Sequence, residues 1–393
     1  MAAQKRAAMP PVEPGRDIAA MHSHERHALM GRVRSVVVKL GTNVLADERG
    51  LLDPAQIGRI ADQVVTLERR GVRAAIVSSG AIAAGMGDLG LERRPDALPQ
   101  LQACASVGQA KLMMMFDLAL KAHGRHAAQI LLVRDDMEDR ARYLNIRNCI
   151  AALQAYGSVP VINENDTVSV DEIRFGENDI LAAMVTNLLR ADLLVLLTTV
   201  DGVFRDKARK DRFDVVHDMA EVMAAADETR SALGSGGMPT KLQAAAKVVA
   251  AGEMAAIADG RRPNVLVDLL AGEPVGTLFL PKTEKMAARR RWIGLTSRPR
   301  GKILIDAGAA RAVRARKSLL ASGIAAVEGA FAAGDVVAVV DPADRVIAQG
   351  LTNYSSEDID KIKGRRTSQF AAILGDRTYD EVVHADNIVL TPA

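Results

Sequence analysis

Cysteine is nearly absent from this chain: there are 2 in 393 residues, Cys104 and Cys149. Two thiols exclude a disulfide framework and a four-thiolate zinc site, and they fit a reducing compartment. Aromatics are sparse at 3%, which leaves few platforms for stacking bases. An excess of one charge is lacking too. Lys plus Arg number 51 against 48 Asp plus Glu, so the chain is not built for bulk electrostatic grip on nucleic acid. No apolar run is expected to approach the roughly 20 residues of a membrane span. The first 30 residues carry Lys5, Arg6 and Arg16 but also Pro10, Pro11, Glu13 and Pro14, without the continuous apolar segment of a secretory signal. The expectation is a cytoplasmic protein with no membrane partner. His22, His24 and His27 read as a solvated tail rather than a metal site.

What is present is globular material, 49% hydrophobic and 25% charged, enough for a core and for two or three domains at ~150 residues each. Residues 1–32 are expected to be a disordered extension. From Val33 onward, short apolar runs alternate with helical patterns: Ser35–Lys39, Ala74–Ser78, Gln129–Val133, Val159–Asn163 and Leu193–Thr198. Such alternation predicts buried, mainly parallel strands in an α/β layer architecture, with ligands at the carboxyl ends of the strands. Residues 33–290 form this unit. The stretch 282–302 holds Lys282, Lys285, Arg289, Arg290, Arg291, Arg298, Arg300 and Lys302 against Glu284. It reads as a solvated basic linker, centred on 291–300. Beyond it, Lys302–Asp306, Asp335–Val340 and Arg345–Gln349 read as strands of a small β-rich domain over 301–377. Residues 378–393 read as a tail or a short final strand.

Three turns carry glycine at strand ends: Lys39-Leu40-Gly41-Thr42-Asn43, Ser78-Ser79-Gly80-Ala81 through Gly85, and Gly234-Ser235-Gly236-Gly237-Met238-Pro239-Thr240-Lys241. Glycine lets backbone N–H groups approach an anion, and a helix starting there adds its dipole. Pro239 suits a first helical turn, and Leu242, Ala245, Ala246 and Val249 continue at helical spacing. Lys241 is then a cation in the first turn of a helix, where the macrodipole opposes it. A phosphate would resolve that conflict. The pattern is neither a Walker A loop nor G-x-G-x-x-G, so P-loop and Rossmann readings are disfavoured. A fourth segment, Asn163-Glu164-Asn165-Asp166, ends a strand in four polar residues. Asn178 or Asp179 caps the helix that follows twelve residues later. Acids and amides there suit a zwitterionic ligand.

These residues resemble the amino-acid kinase superfamily and, within it, the glutamate 5-kinase family. The likeness is carried by Val38-Lys39-Leu40-Gly41-Thr42, Ser79–Gly85, Asp136-Met137-Glu138-Asp139-Arg140, Val161–Asp166, Asn178-Asp179, Gly236–Ala245 and Pro274–Phe279. Segment 302–375 resembles a PUA domain. The resemblance implies an amino-acid-kinase-like three-layer sandwich with a mainly parallel central sheet, plus a small β-rich PUA-like C-terminal domain. It implies transfer from ATP to the side-chain carboxylate of L-glutamate, the first step of proline synthesis, with Mg²⁺ held mainly by the nucleotide phosphates. It also implies proline as a feedback inhibitor, a homo-oligomer, and delivery of the product to γ-glutamyl phosphate reductase.

Carried over by motif, Lys39 falls on the transferring phosphoryl and Lys241 on the ADP side. Asp179 either holds both ammonium groups or touches the metal. Ser79, Asn163, Asp166 and Asn178 bind glutamate, Asp166 taking its ammonium. Gly41 and Gly80 give N–H donors. Ser235, Gly236, Gly237, Met238, Pro239 and Thr240 line the nucleotide with Lys241, and Thr198 and Thr199 border its base or ribose. The family often has Thr-Asp where this chain has Thr198-Thr199, and Asp201 is a candidate substitute. His123, His126, His217 and His384 lie outside every motif, in keeping with an acceptor that needs no general base. The rival readings are another amino-acid kinase, disfavoured by the acid at 166 for acetylated or nucleotide acceptors, and an RNA-binding protein, disfavoured by the scarcity of aromatics.

Overall fold

In the computed structural model, the described residues are 23–48, 50–169, 178–206, 208–229, 237–282, 285–375 and 379–391. The eight strands of the larger sheet are β1 (Ser35–Leu40), β2 (Arg73–Ser78), β3 (His126–Leu132), β4 (Ser158–Glu164), β5 (Leu193–Thr198), β6 (Val215–Val216), β7 (Met254–Asp259) and β8 (Thr277–Phe279). Their order is β3-β4-β2-β1-β5-β7-β8-β6. All pairs are parallel except β7 with β8. The five expected runs correspond to β1–β5. The short β6 and β8 and the Ala-rich β7 gave no comparable apolar signal.

Alternation along the strands divides the core in two. Val36, Val38 and Leu40 of β1 join Leu193, Val195 and Leu197 of β5 on one face. Helices α1 (Pro54–Arg69), α3 (Leu98–Lys121) and α7 (Val265–Leu270) cover that face. Val37, Leu194 and Leu196 lie on the other, under α4 (Arg140–Ala155), α5 (Asn178–Leu189) and α6 (Met238–Ala250). A period of two therefore turns Lys39 toward α5 and α6. Helix α2 (Ala81–Asp88) packs against α3 at very short range. A Cβ on Gly108 would lie 1.8 Å from the Ala81 carbonyl oxygen, and one on Gly85 1.8 Å from that of Cys104. Gly85 thus serves helix packing rather than an anion.

Three expectations need correction. Residues 23–30 are helical. Arg26 is fully buried there, with Nη1 on Asp214 Oδ1 at 2.8 Å and Nη2 on the Val275 carbonyl at 2.6 Å. Helix α3, 24 residues long, is long and apolar enough to cross a membrane by length and composition. Its inner residues Leu101, Cys104, Leu112, Phe116 and Leu120 are buried against the fold. The basic stretch is solvated only in part: Lys282, Lys285, Arg289, Arg298, Arg300 and Lys302 are exposed, but Arg291 is buried. Arg291 and Glu253 pair at 2.8 Å with neither side chain exposed, and the Trp292 indole N–H donates to the Met137 carbonyl at 3.1 Å. Lys285 adds a contact of 2.8 Å to Glu253.

Of the two readings of 378–393, a tail or a short final strand, the structure shows the strand. The smaller sheet has five strands in the order β10-β9-β11-β12-β13. These are β9 (Gly301–Ile305), β10 (Ile324–Glu328), β11 (Val336–Val340), β12 (Val346–Leu351) and β13 (Ile388–Leu390). Strand β13, within 378–393, pairs antiparallel with β12 and buries Ile388. This unit has its own core around Ile303, Val339, Ile359 and Phe370. Val336, Leu351 and Val389 instead pack into the core beneath Trp292 and Ile293. The two units therefore share an apolar joint.

Candidate active site

The functional side chains meet at the carboxyl edge of the parallel strands, where backbone groups leave the sheet. Two connected clusters form, and the start of α5 supplies a residue to each. Asp179, in the first turn of α5, is 1% exposed. Its Oδ1 takes Lys39 Nζ at 2.9 Å, and its Oδ2 takes Lys241 Nζ at 3.0 Å and the Thr240 hydroxyl at 2.9 Å. Lys241 Nζ also donates to the Gly237 carbonyl at 3.2 Å. Burial pushes the Lys39 ammonium below its usual range, with the Asp179 charge opposing that shift and Lys241 adding to it. Burial alone would raise the Asp179 carboxyl, but the two lysines outweigh it and hold it low. The result is a −1 group flanked by two +1 groups, a local surplus of one positive charge in a dry setting.

Asn178 anchors the second cluster. Its Nδ2 donates to Ser79 Oγ at 2.9 Å and to Asn163 Oδ1 at 3.4 Å. Asn163, at the end of β4, donates to Gln109 Oε1 on α3 at 2.8 Å and accepts from the Glu164 N–H at 2.9 Å. Asn178 Oδ1 and Gln109 Nε2 are enclosed without a hydrogen-bond partner among the described residues. An acceptor and a donor thus await a polar ligand. Asp166 lies just beyond. Burial raises its carboxyl to about 6, with the Arg94 charge drawing it back.

The turns behave differently from one another. Gly80 has φ +111 and caps α2, and Gly237 has φ +152 and caps α6. Both are conformations that side chains rarely adopt. Met238 and Pro239 open α6 as its first turn. The Gly41 N–H already donates to the Leu197 carbonyl at 3.4 Å, so it is not a free donor as expected. Gly41 instead contributes room, since a Cβ there would sit 3.8 Å from Lys39 Nζ. Thr198 ends β5 beside Asp259, and the Thr199 carbonyl accepts from Arg261 Nη2 at 2.8 Å. Asp201 is occupied by Arg212 and by the Gly276 N–H, which does not favour it as a nucleotide acid. Ser235 and Gly236 lie outside the described residues. Gln109 and Arg94 escaped the sequence reading, because one of three glutamines in α3 and one of two adjacent loop arginines carry no spacing signal.

As for a metal, Asp179 has both oxygens on lysines, and no cluster of three His, Cys, Asp or Glu suited to a metal occurs among the described residues. The donor set does not form a protein cage for a divalent ion.

A parallel sheet whose carboxyl edge gathers lysines around one acid, beside a nest of amides, defines a phosphotransferase of the amino-acid kinase type. Residues 34–258 match the amino acid kinase family and residues 301–374 the PUA domain. The chain is 46% identical over 372 residues to a glutamate 5-kinase of Geobacter sp., covering 93% of this chain and 100% of that one. To a glutamate 5-kinase of Syntrophotalea carbinolica it is 43% identical, covering 93% and 99%. It is also similar to the solved carbamate kinase of Giardia, with 17% identity, a TM-score of 0.46, and coverage of 64% of this chain and 100% of that one. The chain belongs to the amino acid kinase family, in its glutamate 5-kinase branch with a C-terminal PUA domain.

Proposed function

We propose that this chain transfers the γ-phosphoryl group of ATP to the side-chain carboxylate of L-glutamate, giving γ-glutamyl phosphate and ADP. The observation that carries the reading is Asp179 holding Lys39 and Lys241 on its two oxygens. A glutamate side chain, with a reference pKa of ~4.3, arrives ionised and needs no base. The barrier is the meeting of two anions in line, and catalysis is positioning plus charge stabilisation. Lys39 neutralises the moving phosphoryl, and Lys241 the oxygen on which charge accumulates as the bond to ADP breaks. Asp179 acts as a positioning residue that keeps both ammonium groups aimed, and its charge opposes the loss of the Lys39 proton. Gly80 and Gly237 bring backbone close to the phosphates, with Met238, Pro239 and Thr240 beside them and Thr198 and Thr199 at the base or ribose.

Ser79, Asn163 and Asn178 hold the amino-acid end of glutamate, and Asp166 pairs with its ammonium. The partnerless Asn178 Oδ1 supports this assignment. A divalent cation accompanies the nucleotide. We take it as Mg²⁺, carried by the phosphates, since no metal-binding cluster occurs among the described residues, and when bound it neutralises phosphate charge. The outward residues Val107, Met114 and Leu118 of α3, 41%, 56% and 61% exposed, support a homo-oligomer. The cysteine-poor composition supports a cytoplasmic location. Proline inhibition and transfer of the product to a reductase follow only from the family. The deciding experiment is a hydroxylamine trap. MgATP with glutamate should yield γ-glutamyl hydroxamate, whereas aspartate should yield none. Equal product from both amino acids would overturn the assignment.

A further inference from the structure

The stretch Asp136–Arg140 takes no part in the site above. Its last residue lines a cavity of about 340 Å³ together with Arg289, Trp292, Gly334 and Leu351. The cavity sits at the joint between the two units, since Gly334 and Leu351 belong to the smaller one. No carboxylate lines the cavity among the described residues. Arg140 Nη1 is enclosed by protein and meets no acceptor among the described residues. The Arg140 guanidinium instead rests over the Trp292 ring at 5.2 Å and the Tyr143 ring at 5.5 Å.

The acids nearest in sequence are engaged elsewhere. Asp139 accepts from the Arg142 N–H at 2.8 Å, Asp136 pairs with the Arg142 guanidinium at 2.9 Å, and Glu138 pairs with Arg298 at 3.2 Å. Burial lowers the Arg140 guanidinium, and the charges of Arg147 and Arg289 lower it further. Arg140 is also the first residue of α4, a 16-residue helix. That end of a helix disfavours a cation and favours an anion. Two arginines line this cavity at a helix start, and among the described residues no carboxylate lines it, a setting that suits an oxyanion.

We propose that this cavity binds a small anion bearing a phosphate or carboxylate group, held between Arg140 and Arg289 with its remaining atoms against Leu351 and the Gly334 backbone. Such a ligand would touch both units, so its binding would tie the PUA domain to the kinase unit at a point separate from the Lys39–Asp179–Lys241 cluster.

Trp292, the single tryptophan of the chain, reports on this cavity. Its emission should be followed in the full-length protein during titration with inorganic phosphate or citrate at constant ionic strength, with chloride as the control ion. A saturable change is expected with one or both anions and not with chloride. Phosphate alone would identify a phosphoryl ligand, and citrate alone a carboxylate. The change should persist in Lys241→Met. In Arg289→Gln, half-saturation should shift upward roughly tenfold or more, the loss of one charge-assisted contact. Arg140→Met should behave alike, and if it fails to fold, Arg289→Gln decides alone. No saturable change with either anion, an equal response to chloride, loss of the response in Lys241→Met, an unchanged titration in Arg289→Gln, or a response only to an RNA oligonucleotide would each overturn the proposal.

Discussion

Lys39 and Lys241 are held on opposite oxygens of a single buried carboxylate, at 2.9 and 3.0 Å. Neither lysine can reorient without uncovering the Asp179 charge. Two cations that would repel one another are thereby fixed side by side before any nucleotide arrives. Preorganised charge of this kind costs little reorganisation during transfer. Removal of either lysine should therefore act on turnover more than on glutamate binding. Lys39→Met and Lys241→Met are each expected to lower kcat by about 10²-fold or more, with glutamate KM changed far less. Steady-state kinetics check this, and a variant with near-normal kcat would remove that lysine from the chemistry.

Asp179→Asn separates positioning from substrate contact. The neutral amide keeps the size of the side chain but leaves two buried cations facing one another. Truncating one partner of a buried pair costs about 3–5 kcal/mol, so the melting temperature should fall. The pH profile is the sharper readout. Burial already lowers Lys39 and Asp179 opposes that shift, so loss of the carboxylate must lower it further. Activity should then decline with rising pH from a lower pH in the variant than in the wild type. An alkaline limb that does not move would show that Asp179 does not maintain the lysine charge.

Legibility in the sequence followed the density of local signal. Strands β1, β2, β4 and β5 are runs rich in Val, Ile, Leu and Ala buried on both faces, and they were readable, as was the apolar end of the edge strand β3. β7 is Met-Ala-Ala-Ile-Ala-Asp, which serves a helix as well as a strand, and only pairing with β5 settles it. Lys39, Asp179 and Lys241 were each legible as candidates from a glycine turn or a helix start. Their sharing of one carboxylate was not, because the contact spans three distant segments. Gln109 was invisible for the same reason. Arg291 misled outright: in a run of basic residues it reads as solvated, yet its guanidinium lies beneath the fold on Glu253. Charge runs reveal composition, while burial depends on whether a distant acid has been placed opposite.

The α2–α3 contact tests the packing around the site without touching it. Gly108 has no room for a methyl group, since an added Cβ would fall 1.8 Å from the Ala81 carbonyl oxygen and 2.3 Å from the Gly85 nitrogen. Backbone must move, and overpacking of this kind costs about 1–3 kcal/mol or more. Because α2 starts at Gly80 and α3 carries Gln109, the displacement reaches the Ser79–Asn178–Asn163–Gln109 chain. Gly108→Ala is expected to lower the melting temperature and raise glutamate KM together. Chemical denaturation and kinetics on one preparation check it, and a variant as stable as the wild type would contradict the packing.

Asp166 makes the acid side of the pH profile informative. Its carboxyl is raised from an ordinary 3.8 to about 6, chiefly by burial. In the unliganded protein, the contribution of this group to stability is full below its unfolded value and is lost as pH rises through about 6. A substrate ammonium reverses the preference, because it supplies the positive partner that the ionised form lacks. Glutamate must then compete with a proton below pH 6, and its KM should rise about tenfold for each unit of acidification there. In Asp166→Asn, KM should be high and nearly flat between pH 5 and 7, while kcat at saturating glutamate changes little. Initial rates over that range with wild type and variant decide the matter. A variant that keeps the wild-type slope would place the titrating group elsewhere and free Asp166 from the ammonium.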